Sequence, residues 1–423
     1  MCILFSINLP MPYTLTRHQL YLDLHEAYLD ARRHKRSKTY QQEFERDIYW
    51  QLEYLCEELF TRTYKPHPST CFIIEDPKKR EIVAAEFRDR IVHHLFYNYT
   101  YPLFQRTFIQ DCYSCIKGRG THYGIQRLEK HILQESCNYS PPCYVLKMDI
   151  KGYFMSISRQ RLLEICRESL HTMMSHRIHK DSEETWGDHL DISFIDYLAE
   201  LIITLDPTED CRCIGWPRDW EGLPESKSLF HSAPGTGLPI GNLTSQLFSN
   251  VYMNVFDQWM KREMHCRHYG RYVDDYYVVS TDKDWLRSLI PSTRIFLREE
   301  LGLTVNEGKT QISDVRYGVS YLGAYLKPWR KYVSSQSMQR MIKHIRQLRY
   351  EVLTMENDNL SQDVIADKIQ HSLNSFLGVM GHYNSFRRRE KLFLDSNMLA
   401  FARIYGSFDR NISKFVPYAN DNR

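Results

Sequence analysis

The run Tyr272–Ser280, YVDDYYVVS, sets two adjacent carboxylates inside a segment otherwise suited to a buried strand. Valine and tyrosine fit a pleated, half-buried surface. Ionised carboxylates are almost never buried without a partner. The run therefore reads as a hairpin whose tip carries Asp274 and Asp275. A second strand-like stretch, CYVLKMDIKGYFMSI, ends at Asp149 and a turn. If the two strands are neighbours in one antiparallel sheet, three carboxylates meet at its edge, and like charges that close repel. Divalent cations remove that penalty, and oxygen-only ligands select Mg²⁺, with Mn²⁺ as the alternative. Two such ions about 4 Å apart activate an attacking hydroxyl and stabilise a leaving phosphate oxygen. That is the chemistry of nucleotidyl transfer, and it assigns Asp149, Asp274 and Asp275 as metal ligands.

The chain of 423 residues is long enough for two or three domains. A net charge of +3 does not by itself announce a polyanionic partner, so the local distribution of charge must decide. The eleven cysteines are scattered and odd in number, which reads as reduced thiols in a cytoplasmic protein. Cys112-x-x-Cys115 and Cys211-x-Cys213 are the close pairs, and neither has a second pair at zinc-finger spacing. The start MCILFSINLPMPY is apolar but short and lacks a basic leader, and no stretch reaches the length of a membrane span.

Periodicity predicts helices from 15 to about 63, then a hairpin in STCFIIEDPKKREIVAAEF around the turn residues Asp76-Pro77-Lys78-Lys79. Residues 170–228 read as an insertion with a helical middle, ISFIDYLAELIITL. Its histidine-rich start has no zinc spacing and reads as surface. PIGNLTSQLFSNVYMNVFDQWMKREM reads as a loop into a long helix, with Leu247, Val251, Val255 and Met260 near one face. A helix, the loop and strand LTVNEGKTQIS, and a strand pair at VSYLGAYL follow. From Ser335 a helix carries Met338, Met341, Ile342, Ile345 and Leu348 on one face, with Arg340, Lys343, Arg346 and Arg349 off it.

These segments, in this order, resemble the palm motifs of reverse transcriptases. YVDD with its apolar strand resembles the catalytic hairpin, and KMDIKGYFMSI the first aspartate motif. GLPIGNLTSQLFSNVYMN resembles the loop-helix that holds template and incoming nucleotide, NEGKT the lysine motif, and VSYLGAYL the primer-grip hairpin. Upstream, PKKREIVAAEFRDRIVHHL and FIQDCYSCIKGRGTHYGI resemble bacterial fingers motifs. The form Ile240-Gly241-Asn242-Leu243-Thr244-Ser245-Gln246, with DWEGLPESKSLF just before it, resembles diversity-generating retroelement enzymes and related defence-associated, antiphage reverse transcriptases.

The resemblance implies an α+β right-hand polymerase. It divides into an N-terminal helical extension (1–66), fingers (67–140), a palm (141–326, with the 170–228 insertion) and a helical thumb with the C-terminal region (327–423). It implies catalysis by Asp149, Asp274, Asp275 and Lys309, the lysine neutralising or protonating the departing pyrophosphate. Arg80 and Lys79 would grip the triphosphate, through a guanidinium fork in the case of arginine. Phe154 would lie under the sugar and exclude a 2′-OH. Gly241, Ser245 and Gln246 would approach the templating pair, glycine letting backbone come near a ligand. Leu322 and Gly323 would press on the primer, and Arg387, Arg388 and Arg389 would face the duplex.

The implied reaction is RNA-templated DNA synthesis from dNTPs with two Mg²⁺ ions. The expected partners are a structured noncoding RNA template, the DNA product and an accessory protein subunit. The role is antiphage defence or, alternatively, mutagenic retrohoming. An RNA-dependent RNA polymerase shares the metal carboxylates, but Phe154 and the YVDD form argue against it. A non-catalytic RNA-binding scaffold has no need of the clustered carboxylates.

Overall fold

The computed structural model describes residues 13–33, 38–76, 78–395 and 397–418. The apolar start through Pro12 and the turn residue Pro77 lie outside them. In chain order the helices and strands begin with α1 (Arg17–Ala31), α2 (Thr39–Arg46), α3 (Ile48–Phe60), β1 (Ser69–Ile74), β2 (Arg80–Ala84), α4 (Phe87–Thr107) and α5 (Thr121–Glu135). Next are β3 (Tyr144–Met148), α6 (Tyr153–Ser156), α7 (Arg159–Met174), α8 (Ile192–Thr204), β4 (Cys211–Cys213) and α9 (Leu243–Arg262). The hairpin strands β5 (Tyr269–Tyr272) and β6 (Asp275–Ser280) precede α10 (Lys283–Leu301), β7 (Gln311–Asp314), β8 (Val319–Tyr321), β9 (Ala324–Lys327) and β10 (Arg330–Val333). The chain continues through α11 (Ser335–Asn357), α12 (Gln362–Gly381), α13 (Phe386–Arg389), β11 (Gly406–Phe408) and β12 (Phe415–Pro417). Among the described residues, no helix is long and apolar enough to cross a membrane.

Two compact units share these elements. One takes the chain up to Gly120, Lys147–Val278 and Trp285–Thr310. The other takes Thr121–Leu146, Val279–Asp284 and the chain from Gln311 onward. In the first unit α4 packs against α1 and α9, and α7 against α8 and α9. Side-chain caps define several helix starts: Thr16 accepts from the Gln19 amide, Ser158 from Arg161 and Asp191 from Phe194. Helix α9 is buried on nearly every side, with Leu247, Val251 and Met260 buried and Val255 half-buried. It also buries Asn250 and Asp257, polar side chains that an apolar helix accepts only with partners.

The 170–228 insertion does more than cover a surface. Its strand β4 pairs in parallel with β1, giving a three-stranded sheet in the order β2-β1-β4. Glu81 on β2 is 1% exposed, and its carboxylate accepts from the Trp220 indole, the Ser228 hydroxyl and the Leu229 amide. A buried carboxylate is thereby satisfied by three donors from the insertion and the residue following it. Two histidines of the insertion pair within it: His171 meets Asp196 at 2.7 Å, and His189 meets Glu184 at 3.0 Å.

In the second unit, α11 and α12 pack along Met341, Ile345, Leu348, Ile369, Leu373 and Leu377, with Phe393 and Phe415 in the same core. Arg340, Lys343, Arg346 and Arg349 are exposed. Strands β8, β9 and β10 form an antiparallel meander.

Candidate active site

The four-stranded sheet runs in the order β5-β6-β3-β7, so β6 lies beside β3. Strands β5 and β6 pair in register from Tyr269↔Val278 to Tyr272↔Asp275, leaving Val273 and Asp274 as a two-residue tip. Asp275 thus opens β6, and Asp149 follows the last residue of β3. The antiparallel hairpin and the neighbouring strand bring all three carboxylates to one end of the sheet.

The tip is strained. Val273 has φ of +56°, where a β-branched side chain is a genuine outlier. Two bonds hold it there: Arg271 Nη1 donates to the Val273 carbonyl at 2.9 Å, and the Val273 amide donates to Ser114 Oγ at 3.2 Å. Arg271 is fully buried. Its Nε and Nη2 donate to the two oxygens of Asp257 at 2.8 and 2.7 Å, and Tyr269 donates to the same carboxylate at 2.6 Å. Burial disfavours the guanidinium charge, but the Asp257 carboxylate more than offsets it, so Arg271 stays ionised. Gly270 between these residues is required by packing, because a Cβ there would collide with the hydroxyls of Tyr113 and Tyr277. Strain at a site held by surrounding structure is characteristic of functional turns.

Asp149 is 4% exposed. Its Oδ2 accepts from Lys309 Nζ at 2.7 Å and from Asn306 Nδ2 at 3.1 Å, and its carbonyl accepts from the Asn306 amide at 2.7 Å. The 304–306 segment pairs with 149–151 through the Ile150–Val305 bridge and the bond from the Lys151 amide to the Thr304 carbonyl at 2.8 Å. That pairing delivers Lys309 to the carboxylates.

Burial pushes the Asp275 carboxyl up to about 7, reinforced by the charges of Asp274 and Asp149. Asp274 is raised by burial and by Asp149, against the opposing pull of Lys309 and Arg80. Burial works against the Lys309 ammonium, but its bond to Asp149 and the charges of all three aspartates outweigh that and raise its pKa. Lys147 is lowered by burial, partly countered by Asp275 and Asp149. Three carboxylates under mutual repulsion, with no nitrogen or sulfur donor among them, fit a hard divalent cation.

The remaining predicted residues fall in several places. Phe154 lies on α6, half-buried, against a cluster of Cys71, Val83, Met155 and Leu229, with its ring 5.3 Å from that of Tyr153. The Leu238 amide donates to the Phe154 carbonyl at 2.8 Å, which ties the start of the GLPIGN loop to α6. Gly241 has φ of +140°, and a Cβ there would stand 3.0 Å from Ile82 Cγ2 and from the Val83 carbonyl oxygen. The loop is therefore pressed against β2, and the Val83 amide donates to the Ile240 carbonyl at 2.9 Å. Ser245 is buried near the start of α9, and Gln246 is exposed.

Arg80 is exposed at the start of β2, and its charge reaches Asp274 and Tyr272. Lys79 instead donates to the Glu221 carbonyl at 2.7 Å, within the insertion. Leu322 and Gly323 form the two-residue turn between β8 and β9, with φ of +46° and +84°. Two positive φ values are what a tight type I′ hairpin needs, and leucine is costly there. Arg387 is exposed. Arg388 donates to the Val333 carbonyl at 3.2 Å, and Arg389 to the Ile412 carbonyl at 2.8 Å. The three arginines are thus not equivalent. Sequence reasoning passed over Arg271, Asp257, Asn250, Ser114 and Asn306. The signal for the first two was opposite charges set in the otherwise apolar stretches VFDQW and GRYV.

The fold is of the α+β right-hand polymerase class, and three carboxylates stand at one end of its sheet. Residues 197–326 match the family of reverse transcriptase (RNA-dependent DNA polymerase), a span that includes Asp274, Asp275, Lys309 and the loop-helix and begins after Arg80 and Asp149. The chain carries an RNA-directed DNA polymerase domain. It is 22% identical over 307 residues to Protein YkfC of Escherichia coli K12, covering 64% of this chain and 70% of that protein. Among solved structures, apo telomerase from Candida tropicalis aligns with 13% identity and a TM-score of 0.43, over 82% of this chain and 64% of that one. Telomerase from Candida albicans in complex with a TWJ fragment of telomeric RNA aligns with 11% identity and a TM-score of 0.43, over 80% and 59%. The chain spans less than two thirds of these telomerase chains.

Proposed function

We propose that the protein copies a dedicated structured RNA into DNA, using Asp149, Asp274 and Asp275 to hold two Mg²⁺ ions. The observation that carries this reading is the set of three carboxylates at one sheet end with Lys309 on Asp149 at 2.7 Å. When bound, the ions supply an activated primer hydroxyl and charge stabilisation of the leaving pyrophosphate. The chain's own residues do the rest. Asp149 accepts the Lys309 ammonium, which keeps a proton donor beside the reacting phosphates. Arg80 adds positive charge within reach of Asp274. Phe154 presents its ring where a 2′-OH would clash, and Gly241 lets backbone approach the templating pair. The β8–β9 turn presses on the primer, and Arg387 takes nonspecific phosphate contacts. In this reading 1–66 is a helical extension, 67–140 the fingers, 141–326 the palm and 327–423 the thumb and C-terminal region. An accessory subunit docks on the extension or the insertion.

The biological role we propose is antiphage defence, on the form of the GLPIGNLTSQ loop and its upstream DWEGLPESKSLF segment; the same residues support diversity generation as the second reading. Primed-template extension with dNTPs or rNTPs tests the activity. Incorporation of dNTPs, abolished by Asp274→Ala with Asp275→Ala in a protein that still folds, is the expected result. Incorporation at ordinary rates by that variant would overturn the reading. Sequencing the cDNA separates the roles: adenine-directed errors in a variable-gene repeat indicate diversification, and repetitive or unrelated products made on phage infection indicate defence.

A further inference from the structure

Cys71 is far in sequence from the close pair Cys211 and Cys213 but meets it in the β2-β1-β4 sheet. Strand side chains alternate between faces, so Cys211 and Cys213 share one face of β4. The parallel register sets Cys71 opposite Cys213 and Ser69 opposite Cys211, which places the Cys71 side chain on that face. Bonds from the Ser69 amide to the Asp210 carbonyl (3.2 Å) and from the Ile214 amide to the Cys71 carbonyl (2.8 Å) fix the register at both ends. The three sulfurs lie within 4.8 Å of one another. Cys71 is buried, Cys211 half-buried and Cys213 exposed, so the cluster is walled on one side and open to solvent on the other. The thiols are free, with no disulfide among them. The other close pair, Cys112 and Cys115, does not converge in this way: Cys112 is buried with its thiol on Asn250, and Cys115 is exposed.

We propose that Cys71, Cys211 and Cys213 form a binding site for one thiophilic cation, Zn²⁺ being the ion to test, with a solvent molecule completing its coordination on the open side. Thiolate sulfur selects zinc and Cu(I) over the hard cations that suit the aspartates. Binding converts three thiols to thiolates, releases three protons and forms three metal–sulfur bonds, with no change of oxidation state. The ion would join β4 of the insertion to β1 of the β1–β2 hairpin. Cys71 and Cys211 pack in the same apolar cluster as Phe154, proposed to contact the nucleotide, and Ile240, the neighbour of Gly241, so the join lies beside that part of the proposed site.

The test uses the full chain, purified under reducing conditions, stripped with a chelator and titrated with Zn²⁺ in excess Mg²⁺, which occupies oxygen sites and is rejected by thiolates. Co²⁺ serves as the optical probe, because a sulfur-to-cobalt charge-transfer band reports thiolate ligation. The expected result is one zinc per chain, the cobalt band, and proton release on binding. Cys213→Ser, the exposed position least able to disturb folding, should weaken binding at least about tenfold, and Cys211→Ser should do the same. Cys115→Ser should leave binding unchanged. Absence of stoichiometric zinc, a cobalt spectrum without the sulfur band, or unaltered affinity in Cys213→Ser and Cys211→Ser would overturn the proposal. None of these readouts depends on polymerase activity, so the site stands or falls apart from the proposed function.

Discussion

Arg271 and Asp257 face each other in a two-pronged ion pair, at 2.8 and 2.7 Å with both side chains at 0% exposure, directly beneath the turn that carries Asp274. The same guanidinium holds the Val273 carbonyl, so the pair acts as a buried strut under the strained tip.

Breaking one half of such a pair leaves an uncompensated buried charge, which costs about 3–5 kcal/mol. Arg271→Met is therefore expected to lower stability by that amount. The double change Arg271→Met with Asp257→Leu should cost less than Arg271→Met alone. Urea denaturation of the three proteins measures this, and a double variant no more stable than the single would remove the strut from the account.

A pH dependence follows from Asp275. Its folded pKa of about 7 lies above the ordinary value of 3.8, so the folded state binds more protons in that window. Stability then falls as pH rises from about 4 to about 7, by an amount on the order of a few kcal/mol. In metal-free buffer, thermal midpoints should drop across this range, and Asp275→Asn should flatten the drop. Added Mg²⁺ should raise the midpoint of the parent protein at pH 8 and do less for the variant. A midpoint that rises from pH 5 to pH 7 in the parent but not in the variant would contradict the assignment.

Phe154 stands half-buried on α6 beside the apolar cluster. Phe154→Ala should raise rNTP use relative to dNTP use by about tenfold to a hundredfold, the worth of one steric contact in a pocket. Steady-state kcat/KM for matched dNTP and rNTP pairs gives the ratio. An unchanged ratio with a lowered melting point would make Phe154 a packing residue.

The arginines of α13 should separate. Arg387→Ala is expected to weaken binding to any RNA and flatten the log–log salt dependence by up to about one unit, because it removes one phosphate contact. Arg389→Ala should instead lower thermal stability, since its guanidinium satisfies the Ile412 carbonyl. Filter binding over a salt series, run beside thermal melts, distinguishes them.

Local chemistry made much of this molecule legible from its residues. The YVDD hairpin, the strand ending at Asp149, the β1–β2 hairpin and the amphipathic helix from Ser335 all follow from side-chain period and turn residues, which act over a few positions. The helical middle of the insertion was legible for the same reason. What short-range signals could not specify was which strands become neighbours. The order β5-β6-β3-β7 is what sets Asp149 beside Asp275, and the 304–306 pairing is what brings Lys309 to Asp149. The parallel joining of β4 to β1 gathers Cys71 with Cys211 and Cys213, where spacing alone had shown only an isolated pair. Arg271 and Asp257 are opposite charges in separate, largely apolar runs, and only the packing of α9 against the hairpin makes each the other's partner. Period and turn chemistry fix a residue's face and its local bend; strand order and buried charge pairing depend on long-range burial, which only the assembled chain decides.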